Sequence, residues 1–346
     1  MAREPFHLGS LEVPPGRRLD GELPFARRPD GAPLGIPMVI LHGARPGPVL
    51  CLNSGTHGDE PEGTLAILDI VAEIDPQALA GTLIGIPVLN VLAFAGKSSL
   101  DVSGVRETPV DKKNLARTFP GRADGTVTER LAYTVVSEII PHVDAVIDFH
   151  SGGTRGTSHW ITGFVGASGE LGRKSLALAE MFPMETLWRV SPWSKFSACC
   201  IEQGVQVAVV ETTGQGRADE EDVTVLRTGI RNVMCYLDMI PGVIEGLPEN
   251  RRCIDTETYV YATEGGISRP LVRTGELVEE GQVIGTICDV YGRVNQEVVA
   301  PHSGLVTGIR TKPIVWAGEP VLLVANFIDL EDALSGATAG GQLTPP

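Results

Sequence analysis

Apolar runs of strand length that end in polar residues constrain this chain more than any other feature. Residues 48–53, 81–90, 143–150 and 205–210 read as strands, and Asn53, Asn90, His150 and Glu211 stand where they finish. Helical patterns lie between them. One opens at Pro61 with Leu65, Leu68 and Val71 on one face. A second opens at Thr126-Val127-Thr128-Glu129, a capping box, carries Leu131, Val135 and Ile139, and is expected to stop before Pro141. A third, over 219–240, carries Val223, Val225, Leu226, Ile230, Val233 and Leu237. Alternating strands and helices predict an α/β sheet, which binds ligands beyond the carboxyl ends of its strands.

The pattern changes along the chain. Residues 1–46 read as a β-rich lead-in, and 91–117 form a long connection with little apolar periodicity, of the kind often used for function. After Pro248 only short β-type runs broken by glycine remain. We therefore expect a first domain over 1–250, an all-β domain over 251–330 and a loose tail over 331–346. A weak duplication relates Ile267…Gly281-Gln282-Val283-Ile284 to Leu305…Gly318-Glu319-Pro320-Val321, and the segment resembles a biotinyl/lipoyl-type barrel-sandwich domain. Lys312, in Arg-Thr-Lys-Pro, lacks the methionine neighbours of a carrier lysine, so the expected role is structural or lid-like.

The formal charge of −15, with no basic run, argues against nucleic acid or an anionic membrane as partner. No run reaches the roughly 18 apolar residues of a membrane helix, and the first residues lack a signal-peptide core, which together predict a cytoplasmic protein. The six cysteines contain no Cys-x-x-Cys pair, so buried free thiols are expected, the vicinal Cys199 and Cys200 among them.

Within residues 53–63 a histidine and a carboxylate stand three apart, His57 and Glu60. Imidazole and carboxylate suit Zn²⁺, and a catalytic zinc takes three protein ligands with one position open. Each residue alone has an ordinary explanation: a strand-end histidine is commonly a hydrogen-bonded structural group, and Glu60 would favour a helix N-terminus by charge alone. His150 and Glu211 repeat the same strand-end placement, so four polar groups point to one sheet edge.

Gly55-Thr56-His57-Gly58-Asp59-Glu60, then Asp148-Phe149-His150-Ser151-Gly152-Gly153, then Glu211, resemble the aspartoacylase/succinylglutamate desuccinylase family of the zinc carboxypeptidase superfamily. The run from Asn114 to Glu129 is most similar to its N-acetyl-diaminobutyrate deacetylase-like branch. The resemblance implies a zinc-carboxypeptidase-like mixed sheet with helices on both faces, plus a small barrel-sandwich-like β domain. It also implies one Zn²⁺ per chain held by His57, Glu60 and His150, with Glu211 as general base and then acid. Arg106 would polarise the scissile carbonyl, and Arg117, with Asn114 and Arg155, would contact substrate. The family usually has asparagine immediately before this arginine, and here Ala116 stands there.

The implied activity is deacylation of a small N-acyl amino acid or N-acyl diamine, with homo-oligomerisation left open. Two other readings remain: a metallocarboxypeptidase, and a non-catalytic metal-binding or scaffold protein. Glu211 separates the last, because a pure binding site needs no base. His159 and Trp160 read as structural.

Overall fold

The computed structural model describes residues 3–97, 103–166, 169–190 and 195–335. Its centre is a mixed sheet of 13 strands. In chain order these include β1 (Arg17–Arg27), β2 (Pro33–His42), β3 (Arg45–Asn53), β4 (Ala80–Ile86), β5 (Ala145–Ser151), β6 (Ile161–Val165), β7 (Thr186–Val190), β8 (Gln206–Thr212), β9 (Arg252–Tyr261), β10 (Gly304–Arg310) and β11 (Pro320–Ile328). Across the sheet the order is β10-β11-β9-β7-β6-β8-β5-β3-β4-β2-β1, and the short strands Gly156–Ser158 and Leu277–Val278 both pair with β10. Strands β4, β3, β5 and β8 are mutually parallel, whereas β6 runs against β8. The carboxyl ends of β3, β5 and β8 therefore share one edge.

Seven α-helices are present among the described residues: α1 (Glu62–Glu73), α2 (Val91–Ala95), α3 (Val127–Thr134), α4 (Glu170–Glu180), α5 (Lys195–Glu202), α6 (Glu220–Tyr236) and α7 (Leu330–Ser335). The two-residue period of a strand sends neighbouring side chains to opposite faces. Leu50, Leu52, Ala145, Ile147, Phe149, Ala208 and Val210 pack on one face with residues of α1, α4 and α6. Cys51, Val146 and Val207 pack on the other with residues of α3 and α5. Helices thus cover both faces, and parallel strands buried twice over must be as apolar as these runs are.

Three expectations need correction. The buried stripe of α1 is Ala66, Ile67, Ile70 and Val71, while Leu65 and Leu68 are each 43% exposed. So many apolar residues within two turns satisfy more than one helical stripe. The second helix does not stop before Pro141: α3 continues as a π-helical turn over Val135–Ile139 and a 3₁₀ turn over Ile140–His142, with Leu131, Val135 and Ile139 buried as expected. Proline is tolerated there because the first turn of a helix does not use its N–H. The capping box does form, Thr126 N donating to Glu129 Oε2 at 2.7 Å. Finally, the segment read as a tail begins with α7, whose Ala333 is fully buried; residues 336–346 lie outside the described residues.

Beyond residue 251 the large sheet continues without a break, because β9 pairs in parallel with β7 at Thr186↔Arg252. A second, antiparallel sheet is made of Gly266–Pro270, Val283–Cys288, Val294–Val299 and Ile314–Val315. Its core is separate, built on Val278, Ile284, Ile287, Val298, Val306 and Val324. No described helix is long and apolar enough to cross a membrane. All six cysteines are free, and all but Cys235 are buried.

Candidate active site

The site lies where one face of the sheet turns from apolar to polar. On that face Cys51 is followed two residues on by Asn53, Val146 by Asp148 and then His150, and Val207 by Val209 and then Glu211. Neighbouring parallel strands align these positions, with Asn53 level with Asp148 and Glu211 level with His150. Adjacent strands lie about 4.8 Å apart, so level side chains on one face are neighbours.

The turn after β3 brings His57 and Glu60 to this edge, and glycines make the approach close. A Cβ on Gly58 would stand 2.2 Å from the backbone of Ala93, and one on Gly63 would stand 2.3 Å from Phe149 Cβ. The second glycine lets the start of α1 lie directly on β5, which carries His150. Both contacts exclude larger residues.

His57, Glu60 and His150 each present one donor atom, all within 4.8 Å of one another. Glu60 spans both rings, with Oε1 2.7 Å from His57 Nδ1 and Oε2 2.9 Å from His150 Nδ1. The first of these is an approach without hydrogen-bond geometry, and His57 Nδ1 is left as a buried nitrogen with no hydrogen-bond partner. The far ring nitrogens are both occupied: His57 Nε2 lies 3.1 Å from Asn114 Oδ1, and His150 Nε2 lies 3.2 Å from Asp148 Oδ2. A histidine that gives its outer N–H to an oxygen keeps a lone pair on the inner nitrogen, which is the tautomer a metal requires. Asn53 Nδ2 in turn donates to Asp148 Oδ1 at 2.6 Å and steadies that carboxylate. The donor set fits a divalent ion bound by two imidazoles and a carboxylate.

The charges of these groups depend on burial and on one another. Burial opposes charge on His57 and lowers its pKa, despite Glu60. Burial also opposes charge on His150, but Asp148 and Glu60 outweigh it and hold the imidazole well above its ordinary value. Burial would raise Glu60, yet His57 and His150 keep it well below the usual carboxylate range. Burial pushes Glu211 up to about 8, with Glu60 and Glu257 adding to the rise and His150 and Arg106 opposing it. That is a carboxyl able to hold and release a proton near neutral pH, as acid–base catalysis needs.

The structure gathers most of the expected residues. Arg106 Nη1 lies 2.8 Å from Glu60 Oε1, and the loop bearing it is pinned by Gly58 N donating to Val105 O at 2.9 Å. Asn114 Oδ1 also accepts from Ala116 N at 3.0 Å, so the amide faces His57 and its own turn. Arg117 is exposed on the 3₁₀ turn Leu115–Arg117, and its charge reaches Tyr259. Arg155 is exposed in the turn after β5, its carbonyl accepting from Thr311 N at 2.9 Å. His159 bonds Thr186 Oγ1 at 3.0 Å, and Trp160 Nε1 donates to Asp222 Oδ1 at 2.6 Å, both structural contacts.

Sequence reasoning missed Asp148, although its place two residues before His150 on one strand was the available signal. It also missed that Glu257 and Tyr259 of β9 interact electrostatically with Glu211, Arg106 and Arg117, to which they have no spacing relation.

The model of the succinylglutamate desuccinylase/aspartoacylase catalytic domain matches residues 46–237, more than half of the chain. The chain belongs to this family. It is 27% identical over 303 residues to the N-alpha-acetyl-L-2,4-diaminobutyric acid deacetylase of Halomonas elongata, covering 85% of this chain and 86% of that one. A succinylglutamate desuccinylase/aspartoacylase from Rhodobacter sphaeroides superposes with a TM-score of 0.79 at 29% identity, covering 90% of this chain and 96% of that one. The product-bound ectoine utilization protein EutE (DoeB) of Ruegeria pomeroyi superposes with a TM-score of 0.81 at 25% identity, covering 90% and 97%. Family membership makes the chain a deacylase-type hydrolase acting on amides.

Proposed function

We propose that the chain is a zinc-dependent deacylase that hydrolyses the amide of a small N-acyl amino acid or N-acyl diamine. The observation that carries this reading is the convergence of His57 Nδ1, His150 Nδ1 and the Glu60 carboxylate, with the outer nitrogen of each ring held by an oxygen. Zinc bound there supplies the Lewis acidity that brings water near a reactive pKa and polarises an acyl carbonyl.

The chain's own residues do the rest. Glu211, level with His150, takes the proton of the attacking water and returns it to the departing amine nitrogen as the C–N bond breaks. Arg106, beside Glu60, faces the negative charge that develops on the carbonyl oxygen. Asp148 and Asn114 hold the two rings in register. Arg117 and Arg155, exposed around the site, are the candidates for a substrate carboxylate, with a planar two-pronged contact that lysine would not reproduce.

A hydrolysis screen with the zinc-loaded protein over N-acetyl, N-succinyl and N-formyl amino acids and diamines tests this. Release of free amine from at least one class is expected. No release from any of them would overturn the proposal.

A further inference from the structure

The sheet face opposite the candidate zinc site also turns polar at its carboxyl edge. On that face Phe149 is followed two residues on by Ser151, and Val210 by Thr212, and Ser151 and Thr212 are level on β5 and β8. Helices α1 and α6 cover this face side by side and run in parallel. Arg227 pairs with Asp69 at 2.9 Å and Arg231 with Glu73 at 2.7 Å, each pair 158 residues apart in sequence, so the first turns of the two helices stand next to one another. A Cβ on Gly63 would meet Phe149 Cβ at 2.3 Å and Ser54 Oγ at 2.7 Å, which sets the start of α1 directly on the end of β5. Asp222 fixes the start of α6 to the end of β8, its Oδ1 accepting from Trp160 Nε1 at 2.6 Å and from Thr213 Oγ1 at 3.0 Å.

Four oxygen atoms at these helix starts are buried and without a hydrogen bond among the described residues: Glu62 Oε1 and Oε2, Asp222 Oδ2 and Thr212 Oγ1. Helix capping does not account for the two carboxylates. No amide of α1 bonds Glu62, and the bonds to Asp222 Oδ1 come from Trp160 and Thr213 instead of from α6. The fully buried Thr212 hydroxyl is a separate observation, because it rises from the sheet and belongs to neither helix. Carboxylates this far from water are ordinarily paired or bound to a metal.

We propose that Glu62, Asp222 and Thr212, with the Ser151 hydroxyl level with Thr212, form a second cation site, for a hard divalent ion of calcium size. Carboxylate and hydroxyl oxygens with no nitrogen or sulfur among them suit Ca²⁺ and not Zn²⁺. Mg²⁺ keeps several of its own waters and fits so buried a set of oxygens less well. The ion would fasten the start of α1 to the ends of β5 and β8 across the sheet from His57, Glu60 and His150. Its role is structural, and it stands whether or not the deacylase reading holds.

Calorimetric titration of Ca²⁺ into zinc-loaded protein tests the site without depending on turnover. We expect about one Ca²⁺ per chain with a Kd of about 10⁻⁵–10⁻³ M, and a melting temperature that rises with Ca²⁺ concentration. Glu62→Gln keeps the shape and removes one charge, and should weaken Ca²⁺ binding about tenfold or more. Luminescence of Tb³⁺, which takes the same oxygen ligands, locates the ion, because the Trp160 indole bonded to Asp222 is placed to sensitise it. Sensitised emission should appear in the wild type, be displaced by Ca²⁺ and fall in Glu62→Gln. A wild type that takes up no Ca²⁺, an affinity unchanged in Glu62→Gln, or Tb³⁺ emission indifferent to that substitution would overturn the proposal.

Discussion

Glu211 and His150 stand level on adjacent parallel strands, so a proposed base and a proposed metal ligand are set one strand spacing apart by the sheet itself. Loops need not bring them together. Because Glu211 is not one of the three grouped donors His57, Glu60 and His150, its charge can be removed without taking a donor from the metal. Glu211→Gln is expected to keep zinc and to lower kcat by about 10²–10⁴-fold. Steady-state kinetics beside elemental analysis check this, and undiminished turnover would remove Glu211 from the mechanism.

Asp148 fixes the tautomer of His150 through the 3.2 Å contact to Nε2. Asp148→Asn retains the shape but can present its amide N–H₂ to that nitrogen and favour the wrong tautomer. Zinc affinity should fall by about 10–100-fold. Competition with a chromophoric chelator measures it, and an unchanged affinity would contradict the assigned role.

His150 is held above its ordinary pKa in the metal-free chain, so near neutral pH it carries a proton that zinc must displace from Nδ1. Zinc uptake is expected to release that proton, and affinity is expected to weaken as pH falls. Titration calorimetry in two buffers of different ionisation enthalpy reads the release directly. Equal heats in both buffers would mean that no proton leaves.

Glu62, at the start of α1, is 1% exposed with neither carboxylate oxygen hydrogen-bonded in good geometry, although Ser151 lies close enough to oppose part of the shift. Burial pushes it up to about 7 from an ordinary 4.5. An acid raised in the folded state keeps its proton after the unfolded chain has lost it. Stability therefore falls as pH rises from about 4.5 to about 7, and the penalty is complete above that range. Glu62→Gln should stabilise the metal-free protein by roughly 2–4 kcal/mol at pH 8 and by little at pH 4. Urea unfolding at both pH values checks the sign, and a less stable variant at pH 8 would contradict it.

The central strands were legible because parallel strands buried on both faces must be continuously apolar, and 48–53, 143–150 and 205–210 are. His57, Glu60, His150 and Glu211 were legible because each lies at or just past such a run. Much less of 151–204 could be read. Strands β6 and β7 are five residues each, too short for a period, and α4 and α5 have apolar faces that only the sheet beneath them identifies. The stripe of α1 was misplaced for a related reason, since its neighbours and not its own sequence decide which apolar residues are buried. The electrostatic interaction of Glu257 with Glu211 was invisible because it joins segments far apart in the chain.

The central claim is that His57, Glu60 and His150 hold one catalytic zinc. Its most direct test is elemental analysis of purified protein after zinc is supplied and excess removed. We predict about one zinc per chain in the wild type and nearly none in His57→Ala. A wild type without zinc, or a His57→Ala variant that keeps it, would contradict the account.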